Sequence, residues 1–148
     1  MTVEEWIRLF EKMPKGTKLN PGLPEEKIRT FLRENDFAAT DEYIQFMTFA
    51  NGGSLFGGKL FIWEIPESED RDIPDWKSVL HMNREVFEKM IPKSQKIFMF
   101  ASDYLGGYTG MWYSEKHTDI LHIYPGTEGT HMFKSFTDWL EYMWMNVL

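Results

Sequence analysis

The stretch EYIQFMTFANGGSLFGGKLFIW, residues 42–63, restricts the possible folds more than any other part of the chain. Tyr43, Phe46, Met47 and Ala50 fall at helical spacing, whereas residues 59–63 read as a strand. Asn and Gly tolerate the left-handed conformation that closes a helix, so Asn51, Gly52 and Gly53 are expected to end it. Gly57 and Gly58 are then expected to turn the chain into the strand. A phosphate-binding loop needs the opposite order, strand then glycine then helix, and no Gly-Lys-Ser/Thr follows here. The glycines therefore read as a corner.

Helical patterns flank this corner. Val3, Trp6, Ile7, Phe10 and Met13 form an i, i+3, i+4, i+7 stripe, and Thr2 with Glu5 has capping-box spacing, which predicts a helix over residues 2–13. PKGTKLNPG breaks it. A second helix is signalled by Pro24 at its first turn and by Ile28, Phe31 and Leu32; a third starts after Thr40. The carboxyl end carries a Ser135–Asp138 capping box ahead of Phe136, Trp139, Leu140, Met143, Trp144 and Val147 on one face. A further helix is predicted over residues 76–90, with Asn83 and Arg84 as interruptions. KIFMFAS, GYTGMWYS and DILHIYPG read as consecutive strands and THMFKS as a short edge strand. Helices at both ends and strands in succession give an α+β class, an antiparallel sheet with helices packed mostly on one face. No internal repeat or linker divides the 148 residues, so a single domain over 1–148 is expected.

Charge and composition exclude several functions. Sixteen basic residues against 23 acidic ones give a net charge of −7, the wrong sign for a nucleic-acid backbone binder. No apolar run approaches the ~20 residues that span a bilayer. The absence of cysteine removes disulfides and thiolate chemistry and fits a reducing cytoplasm, and Glu4 and Glu5 stand where a secretory signal would be basic. A cytoplasmic protein is expected.

Reaction centres are poorly supported. His81, His117, His122 and His131, with Asp119, offer pairwise metal spacings but no His-Glu-x-x-His and no three-ligand cluster, so no metal is expected. Ser102-Asp103 beside YLGGY lacks the Gly-x-Ser-x-Gly setting of a nucleophile elbow. Asp103 is better read as capping a turn through its own backbone. No catalytic residue and no cofactor are assigned.

The segments FAATDEYIQFMTFANGG, KLFIWE, KIFMFASDYLGGYTGMWYS and SFTDWLEYMW together resemble the SUKH superfamily. The likeness rests on an aromatic-bearing helix ending in Asn-Gly-Gly (Tyr43, Asn51, Gly52, Gly53), an aromatic strand with Trp63, a strand running into a small-polar and glycine turn (Asp103, Gly106, Gly107) and a closing helix with Trp139. Ala39-Thr40 departs from the Leu-Pro common before the aromatic helix, although Thr40 serves as an N-cap. The resemblance implies four to six strands with flanking helices and no catalytic apparatus. That superfamily includes bacterial immunity proteins and a fungal regulator of cell-wall synthesis, so the partner it implies is a cognate protein toxin, such as a basic nuclease domain. A regulatory scaffold is the alternative, and a small metal- or ligand-binding domain around His117, Asp119 and His122 is a more distant one.

The candidate binding residues follow from charge and exposure. Glu64, Glu67, Glu69, Asp70, Asp72 and Asp75 crowd one loop-like segment and would steer a basic partner. Trp76 next to it is a candidate anchor. In YTGMWYS, Thr109, Met111 and Tyr113 alternate with Tyr108, Gly110 and Trp112, so one set faces the core and the other is available for recognition. Tyr108 and Trp112 are the candidates. The oligomeric state is not fixed by the sequence.

Overall fold

A computed structural model describes residues 1–13, 15–66, 73–91, 95–114, 117–126 and 129–147. Its centre is a seven-stranded antiparallel sheet whose spatial order is the chain order: β1 (Lys18–Pro21), β2 (Ala50–Leu55), β3 (Leu60–Ile62), β4 (Ile97–Asp103), β5 (Tyr108–Tyr113), β6 (Thr118–Ile123) and β7 (Thr130–Phe133). The α+β class is as expected. The count is seven strands rather than four to six, because β1 and β2 form where glycine and proline had suggested only breaks.

Helices α1 (Val3–Glu11), α2 (Glu25–Glu34), α3 (Asp41–Phe49) and α5 (Phe136–Tyr142) supply the large core side chains. Three of them start on hydroxyl caps. Thr2 Oγ1 accepts the Glu5 N–H at 3.2 Å, Thr40 Oγ1 the Tyr43 N–H at 3.3 Å and Ser135 Oγ the Asp138 N–H at 3.1 Å. Each hydroxyl satisfies a donor that the first helical turn leaves unpaired. Tyr43 on α3 packs its ring against Phe98, Phe100 and Phe136, and Trp139 on α5 packs edge-on to Phe100. One continuous core cluster results.

The helix end at Asn51-Gly52-Gly53 is corrected. Helix α3 stops at Phe49, Ala50 is already extended, and the motif lies inside β2. The glycines do adopt positive φ, +72° at Gly52 and +137° at Gly53, but they do so within the ladder. A Cβ on Gly52 would meet the Ile62 carbonyl oxygen at 2.4 Å, and one on Gly53 the Lys18 carbonyl oxygen at 2.1 Å. Glycine here lets β2 lie tightly between its two neighbours.

The helix expected over residues 76–90 is also corrected. It is a 3₁₀ turn (Asp75–Lys77), a single helical turn α4 (Val79–His81) and a π-helical turn (Met82–Phe87). Asn83 accounts for the disruption. Its buried amide accepts the Met99 N–H at 2.9 Å and donates to the Met99 carbonyl at 2.7 Å, completing the β4 ladder where β3 has ended. Phe87 from this segment packs against Trp63 and Tyr108. This short segment therefore covers part of the face of β3–β5 that carries Trp63 and Tyr108. The closing helix likewise passes into a π turn (Met143–Val147), which carries Trp144 out to 42% exposure against Phe56. The Val147 side chain lies outside what is described.

Candidate interaction surface

Cross-strand partners in a sheet share a face, so the register sorts the side chains. One row runs Lys18, Ser54, Phe61, Ser102, Tyr108, Ile123 and Thr130 from β1 to β7. The opposite face carries Ile62, Ala101, Thr109, His122 and His131 in the adjacent row. Tyr108 and Trp112 thus lie on one face of β5, with Thr109 and Met111 buried on the other. Both candidate rings are half-buried, and Tyr108 lies 5.0 Å from the Phe87 ring.

Trp76 stands on the 3₁₀ turn above this face. It is 49% exposed, with its ring edge-on to Phe61 at 5.3 Å and the Lys77 ammonium 4.9 Å from its centroid. Phe61 and Trp76 form one ring pair, and Trp63, Phe87 and Tyr108 a second aromatic group in which Trp63 and Phe87 are buried; Trp76 is the most exposed of the five. Trp112 sits apart, opposite Asp119, with its nearest ring contact to His117.

The acidic candidates divide. Asp75 is exposed and 3.8 Å from His81 Nδ1. Glu64 is only 6% exposed and is corrected from loop to buried bridge: its N–H donates to the Lys77 carbonyl and its carbonyl accepts the Val79 N–H. Glu67, Glu69, Asp70 and Asp72 lie outside the described residues.

The resemblance residues hold the surface in place. Asn51 is fully buried, and its side chain donates to the Ile65 carbonyl and accepts the Ile65 N–H, both at 2.9 Å. One amide thereby pairs the backbone just beyond Trp63 and Glu64 as a neighbouring strand would. Trp63 is buried, with its indole N–H directed to Ser102 Oγ at 3.2 Å.

At the β4–β5 turn, Asp103 Oδ1 accepts the Leu105 and Gly107 N–H groups, each at 2.8 Å, the self-capped turn the sequence suggested. Gly106 takes φ +84° there. Asp103 Oδ2 meets His122 Nε2 at 2.9 Å and accepts the Tyr124 hydroxyl at 3.0 Å, while His122 Nδ1 lies 2.7 Å from Thr109 Oγ1. A neutral imidazole satisfies both contacts, with Nε2–H donating to Asp103 and Nδ1 accepting from Thr109. Burial pushes the His122 pKa below its ordinary value, opposed by the Asp103 carboxylate, and burial also raises the Tyr124 hydroxyl. The order Asp–His–Thr matches that of a hydrolytic triad. The side chains of His122 and Asp103 are wholly inaccessible, however, and Thr109 is fully buried, so no substrate reaches the hydroxyl.

The His117–Asp119–His122 grouping does not assemble. His117 pairs with Asp119 at 3.3 Å, whereas His122 projects to the opposite face. Among the described residues, no three His, Cys, Asp or Glu side chains gather as a metal site, and no helix is long and apolar enough to cross a membrane.

Comparison with protein families matches residues 22–142 to the SMI1 / KNR4 family (SUKH-1). The chain belongs to that family. The SUKH-1 region runs from just before α2 to the end of α5, so it includes the Asn51 clamp, the Asp103 turn and both aromatic groups, while α1 and β1 precede it. Comparisons with curated proteins and with solved structures give no match. The role of Asn51 was legible as a glycine-bearing motif but not as a clamp, because its partner Ile65 is fixed only by the fold. The Asp103–His122 pair is likewise set by strand register, which spacing alone does not reveal.

Proposed function

We propose that this SUKH-1 protein acts by binding another protein, as an immunity protein that neutralises a cognate toxin through stoichiometric occlusion. The reading rests on family membership together with one observation: Trp76, half exposed, packs edge-on against Phe61 beside the acidic segment 64–75. Exposed tryptophan with an apolar surround is the chemistry of an interface anchor. Asp75, with Glu67, Glu69, Asp70 and Asp72, supplies negative charge that steers a basic partner such as a nuclease domain. The partner's active site or substrate path is then covered, and no chemical step by this chain is involved.

The test is co-expression with the toxin encoded beside it. The wild-type chain is expected to protect cells and to form a 1:1 complex. Trp76→Ala is expected to weaken that complex at least tenfold, about 1.4 kcal/mol or more, while leaving the fold intact. Failure to protect against any neighbouring toxin overturns the immunity reading, and unchanged affinity in Trp76→Ala overturns the assigned surface.

A further inference from the structure

The chain holds five asparagines, and Asn51 alone is followed by glycine. In such a pair the asparagine side chain is open to attack by its own backbone, because the next residue has no Cβ to crowd its nitrogen and rotates freely. We propose that Asn51-Gly52 is a covalent modification site, a deamidation point that the fold holds closed and that prolonged opening of the chain spends. The inference concerns the chain by itself and stands apart from the binding function above.

Water is the only co-reactant. The Gly52 main-chain nitrogen gives up its proton to solvent base and attacks Cγ of Asn51. The new N–C bond closes a cyclic imide as the Cγ–Nδ2 bond breaks, and Nδ2 takes up a proton and leaves as ammonia. One water then opens the ring. Cleavage of the bond to Cγ leaves aspartate at position 51. Cleavage at the main-chain carbonyl leaves isoaspartate, whose backbone runs through the former side chain. Nothing is oxidised or reduced.

The folded chain blocks this route. Asn51 is fully buried, so water and base are kept from it. Its Nδ2 donates to the Ile65 carbonyl and its Oδ1 accepts the Ile65 N–H, both at 2.9 Å, so Cγ reaches the Gly52 nitrogen only by breaking both bonds. The Asn51 main-chain carbonyl accepts the Asn20 side-chain amide at 3.1 Å. Both residues lie inside β2, between β1 and β3, and a Cβ on Gly52 would meet the Ile62 carbonyl oxygen at 2.4 Å. The backbone torsions that ring closure needs are therefore fixed by neighbouring strands.

Neither product fits the same place. Aspartate keeps an acceptor for the Ile65 N–H but sets an oxygen without a proton against the Ile65 carbonyl. Isoaspartate adds a main-chain atom in a strand where Ala50 pairs with Pro21 and Gly53 pairs with both Leu19 and Ile62. The close approaches at Gly52 and Gly53 leave no slack to absorb it. A chain modified while open is thus barred from full native stability, and a reversible opening becomes one-way.

The full chain is incubated in native buffer and, at the same pH and temperature, in urea above its unfolding midpoint. Deamidation is followed at each asparagine by peptide mapping with mass spectrometry, and isoaspartate by its enzymatic methylation. In urea Asn51 is expected to deamidate first of the five. In native buffer its rate is expected to be about a hundredfold lower or less, because only the open population reacts. On removal of urea, unmodified chains are expected to regain the native midpoint and chains modified at position 51 to fall short of it. Three results overturn the proposal: similar rates at Asn51 in the two conditions, another asparagine reacting first in urea, or modified chains that refold to the unmodified midpoint.

Discussion

Replacing Asn51 with alanine tests how far one side chain stands in for a strand. Its amide makes two hydrogen bonds of 2.9 Å with the backbone of Ile65, in a region where Asn51 is fully buried and Ile65 is 2% exposed. Truncation leaves a buried N–H and a buried carbonyl without partners. Each such orphan costs about 1–3 kcal/mol, so Asn51→Ala is expected to cost about 2–6 kcal/mol, a large share of the ~5–15 kcal/mol typical of a folded domain. Asn51→Asp keeps the acceptor for the Ile65 N–H but replaces the donor with an oxygen facing the Ile65 carbonyl. It is therefore expected to destabilise as well. The assay is urea unfolding followed by tryptophan fluorescence, with amide hydrogen exchange at Ile65 as the local readout. A midpoint shift equivalent to less than about 0.5 kcal/mol for Asn51→Ala, within the range of ordinary surface substitutions, would refute the clamp.

Three further outcomes follow from the core and the polar knot. Among the described residues the buried Tyr43 hydroxyl has no hydrogen-bond partner, so Tyr43→Phe is expected to raise stability by about 1 kcal/mol in denaturant unfolding; a loss of stability would indicate a hidden partner. Gly107→Ala would place a Cβ 2.5 Å from Asp103 Oδ2 and 2.7 Å from His122 Nε2, and is expected to cost about 1–3 kcal/mol by thermal or chemical unfolding. The folded pKa of His122 is lowered, so the unfolded chain binds the extra proton first as pH falls. Stability is therefore expected to be full above the ordinary histidine range and to fall as pH drops through about 6.5 and below. The groups facing this imidazole are Asp103, Thr109, Tyr124 and His131, and His122→Gln is expected to flatten that part of the pH profile; an unchanged profile would remove His122 as its source.

Legibility from sequence followed the range of the interactions concerned. The starts of α1, α3 and α5 were readable because a hydroxyl and the N–H it accepts lie three residues apart. The alternation along β5 was readable because pleating is local. β1 was missed because four residues including Pro21 carry little intrinsic strand preference and gain theirs from pairing with β2. β2 was missed because its glycines signal turns, and only the close approach of β1 and β3 reveals why they sit in a ladder. The π turn depends on Asn83 reaching Met99, sixteen positions away, a contact no helical periodicity encodes. The charge pattern groups Glu64 with its acidic neighbours because charge density does not distinguish a buried bridging residue two positions past β3 from an exposed loop.

The neighbour-to-neighbour strand order has a consequence for how the molecule assembles. Strands β4 to β7 follow one another over residues 97–133, so their pairings close only small loops, and β2 and β3 make another such hairpin over residues 50–62. These two parts are joined by the β3–β4 ladder, Leu60 with Asp103, Phe61 with Ser102 and Ile62 with Ala101, extended by the Trp63 N–H to the Phe100 carbonyl. Loop closure makes that meeting the entropically slower step. The seam between β3 and β4 is thus where a nascent chain completes its sheet, and where partial opening would first divide it.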